Sequence, residues 1–174
     1  GPTMKLILTG APRAGKTTLL KSLVNAYPGA AGGIISVALP NRGGFELQVV
    51  WKPPWGPLQV ADRAVLARAA EHTPRRYGID PEALSLAVRA LDGAMHEDSL
   101  VIIDEIGPLQ MASPEFQDAV LRCFDGPGSL IATLGQWQDP LVDGLRTRPG
   151  VRVVEVTAAN RQHLAEALPK WLST

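Results

Sequence analysis

Two hydrophobic rhythms run along the chain. Short apolar or alternating runs read as strands: Leu6-Ile7-Leu8, residues 32–38, Leu100-Val101-Ile102-Ile103, residues 129–133 and residues 151–156. Between them apolar residues recur every three to four positions, the mark of helices with one buried stripe. Leu19, Leu20, Leu23 and Val24 form the first stripe, and Leu84, Ala87, Val88, Leu91 and Met95 a later one. Phe116, Val120, Cys123 and Phe124 form another. The last holds Leu164, Ala167, Leu168 and Trp171, in a helix that Pro169 ends or bends. Asp80-Pro81 and Ser113-Pro114 open two of these helices, each a capping side chain followed by proline at the first helical position.

Pro40-Asn41-Arg42-Gly43-Gly44 is a turn signal between residues 32–38 and the alternating stretch 45–51, which predicts a β-hairpin. Residues 59–71 read as a helix with Val60, Ala64 and Ala67 inward. Residues 72–77 then read as a polar connection carrying Pro74, Arg75 and Arg76. The run 100–103 is apolar on both faces, as in a strand buried within a parallel sheet. Strands alternating with helices predict an α/β fold of three layers: a mainly parallel sheet, helices on both faces, right-handed crossovers and a β-hairpin insertion.

Composition narrows the setting. The chain of 174 residues suits one domain, expected over residues 4–174, with Gly1-Pro2-Thr3 ahead of Met4 read as an expression-tag remnant. Basic and acidic residues balance at 17 each without a block of like charge, so no nucleic-acid partner is expected. No apolar run approaches the ~20 residues of a membrane span, so no membrane partner is expected. No signal peptide is visible. Cys123 is the sole cysteine, so no intrachain disulfide forms, and it reads as a small core residue. The expected location is a reducing cytoplasm. His72, His96 and His163 lack metal-ligand spacing and read as surface or satisfied residues.

Chemistry enters with Gly10-Ala11-Pro12-Arg13-Ala14-Gly15-Lys16-Thr17, which fits Gly-x-x-x-x-Gly-Lys-Thr between a strand and a helix, the context that a phosphate-binding P-loop requires. Such a loop turns backbone N–H groups toward phosphate oxygens, and the helix start behind it adds donors and partial positive charge. Gly10 through Thr18 are therefore expected to bind a nucleotide. Lys16 would reach the β- and γ-phosphates, and the Thr17 hydroxyl would ligate Mg²⁺. The second signal is Asp104-Glu105 at the end of the fully apolar strand, the edge where ligands of open α/β sheets bind. Asp104 fits the Walker B acid that holds the metal, and Glu105 fits a carboxylate that polarises the attacking water.

At this point the chain resembles a known family. The P-loop is followed in order by Asn41-Arg42-Gly43-Gly44-Phe45, Arg76-Tyr77-Gly78-Ile79-Asp80, Ile102-Ile103-Asp104-Glu105-Ile106-Gly107-Pro108-Leu109 and Val156-Thr157-Ala158-Ala159-Asn160-Arg161. This order resembles the small P-loop nucleoside-triphosphatase family that includes the human cancer-related nucleoside triphosphatase and its bacterial and archaeal relatives. The resemblance implies slow, Mg²⁺-dependent hydrolysis of ATP, GTP and other nucleoside triphosphates to the diphosphate and phosphate, with little base selectivity. By motif, Lys16 and Glu105 carry the catalytic roles, Thr17 and Asp104 hold the metal, and Asp104 and Glu105 join the P-loop in contacting the nucleotide. Asn160 and Arg161 follow the last strand at the ligand edge, where they contact the base or start a helix.

The chain also departs from the family. Relatives carry Gly-Phe-Tyr-Thr-x-Glu on the second strand, where this chain has Gly33-Ile34-Ile35-Ser36-Val37-Ala38, without the aromatic pair or the acid. In place of a basic or histidine-containing loop after the fourth core strand stands Leu134-Gly135-Gln136-Trp137. Gln136 is a candidate for orienting water, and Trp137 reads as packing. Arg42 reads as a solvated hairpin tip. Arg146 and Arg148 read singly as solvated, and either is also a candidate arginine finger, in cis or from a neighbouring subunit. Tyr77 reads as core or as a cover for the site. Trp51 and Trp55, flanking a Pro-rich loop, read as a cover over the sheet or as an exposed patch for a partner. Two other activities share these motifs: a small-molecule or nucleotide kinase, which needs an acceptor pocket and an arginine lid, and a nucleotide-dependent switch with negligible turnover. Glu105 directly after the Walker B acid favours hydrolysis over the kinase, and the missing second-strand acid keeps the switch open. No protein partner is specified by the sequence.

Overall fold

The computed structural model describes residues 3–70, 73–96 and 98–172. The side chains of residues 70 and 73–77 fall outside that description, and with them the readings of Arg75, Arg76 and Tyr77. Gly1, Pro2 and His72 also lie outside it. In chain order the strands are β1 (Lys5–Thr9), β2 (Ala30–Ala38), β3 (Gly44–Lys52), β4 (Gln59–Ala70), β5 (Thr73–Ile79), β6 (Ser99–Ile106), β7 (Ser129–Leu134) and β8 (Val151–Glu155). The helices are α1 (Lys16–Ala26), α2 (Pro81–Ala94), α3 (Pro108–Met111), α4 (Pro114–Asp125), α5 (Pro140–Arg146) and α6 (Arg161–Leu172). Among them no helix is long and apolar enough to cross a membrane.

All the strands join one eight-stranded sheet in the order β5-β4-β3-β2-β6-β7-β1-β8. From β2 through β6, β7 and β1 to β8 the neighbours run parallel. The α/β, three-layer expectation holds. One face packs α2, α3, α4 and α5 around Ile7, Ile103, Ala132 and their neighbours. The other packs α1 and α6 around Leu6, Leu8, Ile102 and Ile131. Each core Leu, Ile or Phe contributes roughly 1.5–3 kcal/mol by leaving water.

The predicted stripes of α1 and α4 are buried as expected, with Cys123 among them, and in the α2 stripe Leu84, Ala87 and Leu91 are buried while Val88 and Met95 are half-buried. Asp80 and Ser113 cap as expected: their side-chain oxygens accept from the N–H groups of Glu82 at 2.9 Å and Phe116 at 3.3 Å. Lys5, buried at the start of β1, donates to the carbonyls of Cys123, Gly126 and Gly128, so the lost hydration of its ammonium is offset where α4 ends.

Several expectations are corrected. Within the expected helix 59–71, residues 59–70 form a strand and Glu71 lies outside the described residues: β4 pairs antiparallel with β3 from Gly44↔Arg68 to Trp51↔Gln59, through two irregularities. Residues 72–77 are not a simple connection, because β5 pairs with β4. The hairpin therefore grows into an antiparallel wing from β2 to β5. The local preference of an Ala- and Arg-rich stretch for helix is weak, and cross-strand pairing overrides it. Val60, expected inward, is 41% exposed, whereas Ala67 is buried as expected, together with Leu66. Pro169 does not end α6, which continues to Leu172, and Ala167 of its predicted stripe is exposed. Trp55 does not cover the sheet but stands 86% exposed, with Trp51 at 43%. Arg42 is exposed at its turn, and so are His96 and His163.

Candidate active site

Sheet register sets the site. Thr9 ends β1 beside Leu134 of β7 and Glu155 of β8, and Ile35 of β2 aligns with Asp104 of β6. The carboxyl ends of these strands thus form one edge, and the P-loop springs from it. Gly15 precedes α1 with φ +98°, a conformation that favours glycine, and the Arg161 side chain occupies the space a Cβ would take. No side chain caps α1, and its first turn carries no acid. Its leading N–H groups are available to an anion. Lys16 arcs back across the loop and donates to the carbonyls of Gly10 at 2.6 Å and Ala11 at 3.4 Å. Ala11, Pro12, Arg13 and Thr18 are exposed around it, with Ala14, Gly15, Lys16 and Thr17 partly buried.

The two motifs meet at Asp104. The Thr17 hydroxyl, one residue into α1, donates to Asp104 Oδ2 at 2.8 Å. The Thr133 hydroxyl on β7 donates to Asp104 Oδ1. Asp104 is 3% exposed, and burial pushes its carboxyl above the usual range. The Thr133 and Thr17 hydroxyls act in the opposite direction, as do Lys21 and Lys16. Glu105 follows through a cis peptide bond. Its carboxyl is also pushed up, first by burial and then by the Asp104 charge, with Lys16 opposing. A Cβ built on Gly107 would stand 3.2 Å from Glu105 Oε1, and one on Gly135 would stand 3.9 Å from Oε2, so the carboxylate lies between two side-chain-free positions.

Among the described residues no group of three or more His, Cys, Asp or Glu side chains converges. The oxygen donors next to the P-loop are the Thr17 hydroxyl and the Asp104 carboxylate. This set fits Mg²⁺, which takes one or two protein oxygens and fills its octahedron with water and substrate phosphates.

A cavity of about 560 Å³ opens beside the loop. Thr9, Gly10, residues 136–138, Arg146 and Glu155 line it. Gln136 is exposed there. Trp137 packs against the core as expected and donates from Nε1 to the Ile106 carbonyl at 3.1 Å. The two arginines before β8 separate. Arg148 pairs with Asp125 and does not line the cavity, whereas Arg146 does. Arg146 has Nη2 3.5 Å from the Gly135 carbonyl, and its buried Nε has no partner among the described residues. Such an orphaned donor costs about 1–3 kcal/mol.

Asn160 and Arg161 also differ. The Asn160 amide is engaged by its own loop: Oδ1 accepts from the Thr157 N–H and Nδ2 donates to the Glu155 carbonyl, both at 2.8 Å. That is its helix-start role. Arg161 lies against Gly15 of the P-loop. The absent second-strand acid has no replacement at its own position, since Ala38 is exposed at the end of β2, while the Ser36 hydroxyl accepts from Gln110 Nε2 at 3.2 Å.

Sequence reasoning missed Thr133, whose polar side chain near the end of an apolar strand was the available signal. It also missed α5 and the cavity beside it. Asp139-Pro140 repeats the capping pattern of Asp80-Pro81, with Asp139 Oδ1 accepting from the Leu141 N–H at 2.9 Å, so α5 was detectable.

Comparison with known proteins shows the family and the fold. A family model described as NTPase matches residues 5–168. The nucleoside-triphosphatase THEP1 of Thermotoga petrophila is 34% identical, covering 95% of this chain and 90% of its own. That of Methanopyrus kandleri is 32% identical, over 94% and 92%. The crystal structure of THEP1 from the hyperthermophile Aquifex aeolicus superposes with a TM-score of 0.81 at 27% identity, covering 98% of this chain and all of that one. The solution structure of a human cancer-related nucleoside triphosphatase superposes at 0.73 with 25% identity, over 98% and 97%.

Proposed function

The chain belongs to the NTPase family and is a nucleoside-triphosphatase, and from that premise we propose that it hydrolyses several nucleoside triphosphates, ATP and GTP among them, slowly and with Mg²⁺, to the diphosphate and phosphate. The observation that carries this reading is the Thr17–Asp104 hydrogen bond, which joins the P-loop helix to the buried strand end with Glu105 next in line.

The loop N–H groups and Lys16 hold the β- and γ-phosphates, and catalysis is mainly positioning and charge stabilisation. Thr17 and Asp104 hold the metal. Mg²⁺ bound there would offset the charge of the β- and γ-phosphate oxygens. Glu105 orients the attacking water and accepts its proton. Burial and the Asp104 charge raise Glu105's affinity for protons, which makes it a stronger base than an exposed carboxylate. Activity therefore rises with pH as Glu105 loses its proton.

Tolerance toward the base follows from what is offered to it. Asn160 is committed to its loop, so its amide is not offered to a base edge. The cytoplasm is the proposed location.

The test is phosphate release from ATP, GTP, CTP and UTP without an added acceptor, with Mg²⁺ or with EDTA, for the native chain and Glu105→Gln. We expect turnover on several substrates that needs Mg²⁺ and collapses in the variant while nucleotide binding survives. Equal release by both proteins would reject the assignment of Glu105. Tight binding without release would point to a kinase or a switch.

A further inference from the structure

Arg146 has no settled role in the fold. It ends α5, lines the cavity beside the P-loop and joins no ion pair among the described residues. Its side-chain hydrogen bond among the described residues, to the Gly135 carbonyl, is long at 3.5 Å, and its Nε is buried without a partner among them. A guanidinium so held presents donors that an anionic oxygen would satisfy.

Its surroundings say which anion. Gly135, whose carbonyl tethers Arg146, is the glycine beside Glu105 Oε2. Gly10, which lines the same cavity, holds Lys16 Nζ on its carbonyl at 2.6 Å. Arg146 thus contacts the glycine that lies beside the proposed base, and it lines the same cavity as the glycine that holds the P-loop lysine. The remaining arginines near the edge are placed differently. Arg148 is paired with Asp125, and Arg161 lies against Gly15.

We propose that Arg146 is a catalytic residue that binds the terminal phosphoryl group from within the same chain. This rests on the hydrolase reading above. Water oxygen bonds to the γ-phosphorus while the bond from phosphorus to the β,γ-bridging oxygen breaks, and the diphosphate leaves with that electron pair. The water proton passes to Glu105 and then to a phosphate oxygen. Arg146 leaves the weak Gly135 contact and donates to the γ-phosphoryl oxygens as their charge redistributes. Its effect is therefore greater in the transition state than on bound substrate.

The test compares Arg146→Ala, Arg146→Lys and Glu105→Gln. For Arg146→Ala, kcat should fall at least ~10²-fold, the scale of one preorganised donor. KM and diphosphate affinity should move by less than about threefold, as for an interaction made only in the transition state. Lysine should not restore kcat, because it lacks the planar fork, whereas added ethylguanidinium should restore part of it in the alanine variant. Trapping of Mg²⁺, ADP and aluminium fluoride should be lost while Mg²⁺–ADP binding remains. Mixing Arg146→Ala with Glu105→Gln should recover nothing.

Unchanged kcat, an equal loss of diphosphate affinity, or full trapping by the alanine variant would each overturn the proposal. Recovered activity in the mixture would overturn its action in cis. If the native chain and Glu105→Gln release phosphate equally, the reading of Glu105 fails separately, and the trapping comparison still reads Arg146.

Discussion

Thr133→Val tests whether the buried carboxylate is held as described. Thr133 is fully buried in β7, and its hydroxyl donates to Asp104 Oδ1. Valine keeps the shape and the β-branch and removes only the donor. A hydrogen bond to a charged group contributes about 1.5–3 kcal/mol. A buried methyl in place of the hydroxyl returns about 0.8 kcal/mol. The net loss is about 1–2 kcal/mol, which for a domain of this size lowers Tm by about 2–8 °C.

The sign with pH follows from Asp104. Its carboxyl already titrates above its ordinary value, because burial outweighs the two hydroxyls and the lysines. In the native chain without ligand, this means that stability falls as pH rises through that titration. Removing one donor raises the titration further. The cost of the substitution is therefore complete while Asp104 is ionised and shrinks as the pH falls through its titration. Urea unfolding followed by tryptophan fluorescence, from pH 8 down to pH 4, measures this directly. The same variant should need more Mg²⁺ for nucleotide binding, because the carboxylate loses its anchor opposite Thr17. A loss below about 0.5 kcal/mol, within the range of an ordinary surface change, or one that grows as Asp104 is protonated, would refute the reasoning.

Two other outcomes follow from the same geometry. Gly33 has φ +151°, and a Cβ there would overlap the Ile102 carbonyl oxygen, so Gly33→Ala should force β2 from β6 and cost at least ~3 kcal/mol in urea unfolding. A loss under about 1 kcal/mol would show that the two strands separate easily. Cys123 is buried and its thiol is pushed up to about 12, chiefly by that burial, so the native chain should not react with a thiol reagent at pH 8, and one thiol should appear on unfolding. Reaction at the rate of a free thiol would contradict that packing.

How legible the protein was varies with the range of the forces involved. The P-loop, Asp104-Glu105 and the stripes of α1, α2 and α4 were readable because each depends on neighbours a few residues away. A loop that wraps phosphate needs its glycines and lysine at fixed spacing, and a helix with one buried face shows its period. Residues 59–70 were misread for the opposite reason. Their fate depends on pairing with β3, and with most of β4 facing solvent the strand carries no clear period.

The site divides along the same line. By itself the sequence determined the chemistry on offer: a phosphate cradle, a hydroxyl, a lysine and two adjacent carboxylates. Only the tertiary structure decided which groups meet. It brought Thr133 of β7 onto Asp104 of β6, committed Asn160 to its own loop, set Arg148 on Asp125 and left Arg146 in the cavity. These choices follow from sheet register and burial. Each joins groups far apart in the chain, and the free energy of satisfying a buried donor or charge is fixed by the surroundings that folding supplies.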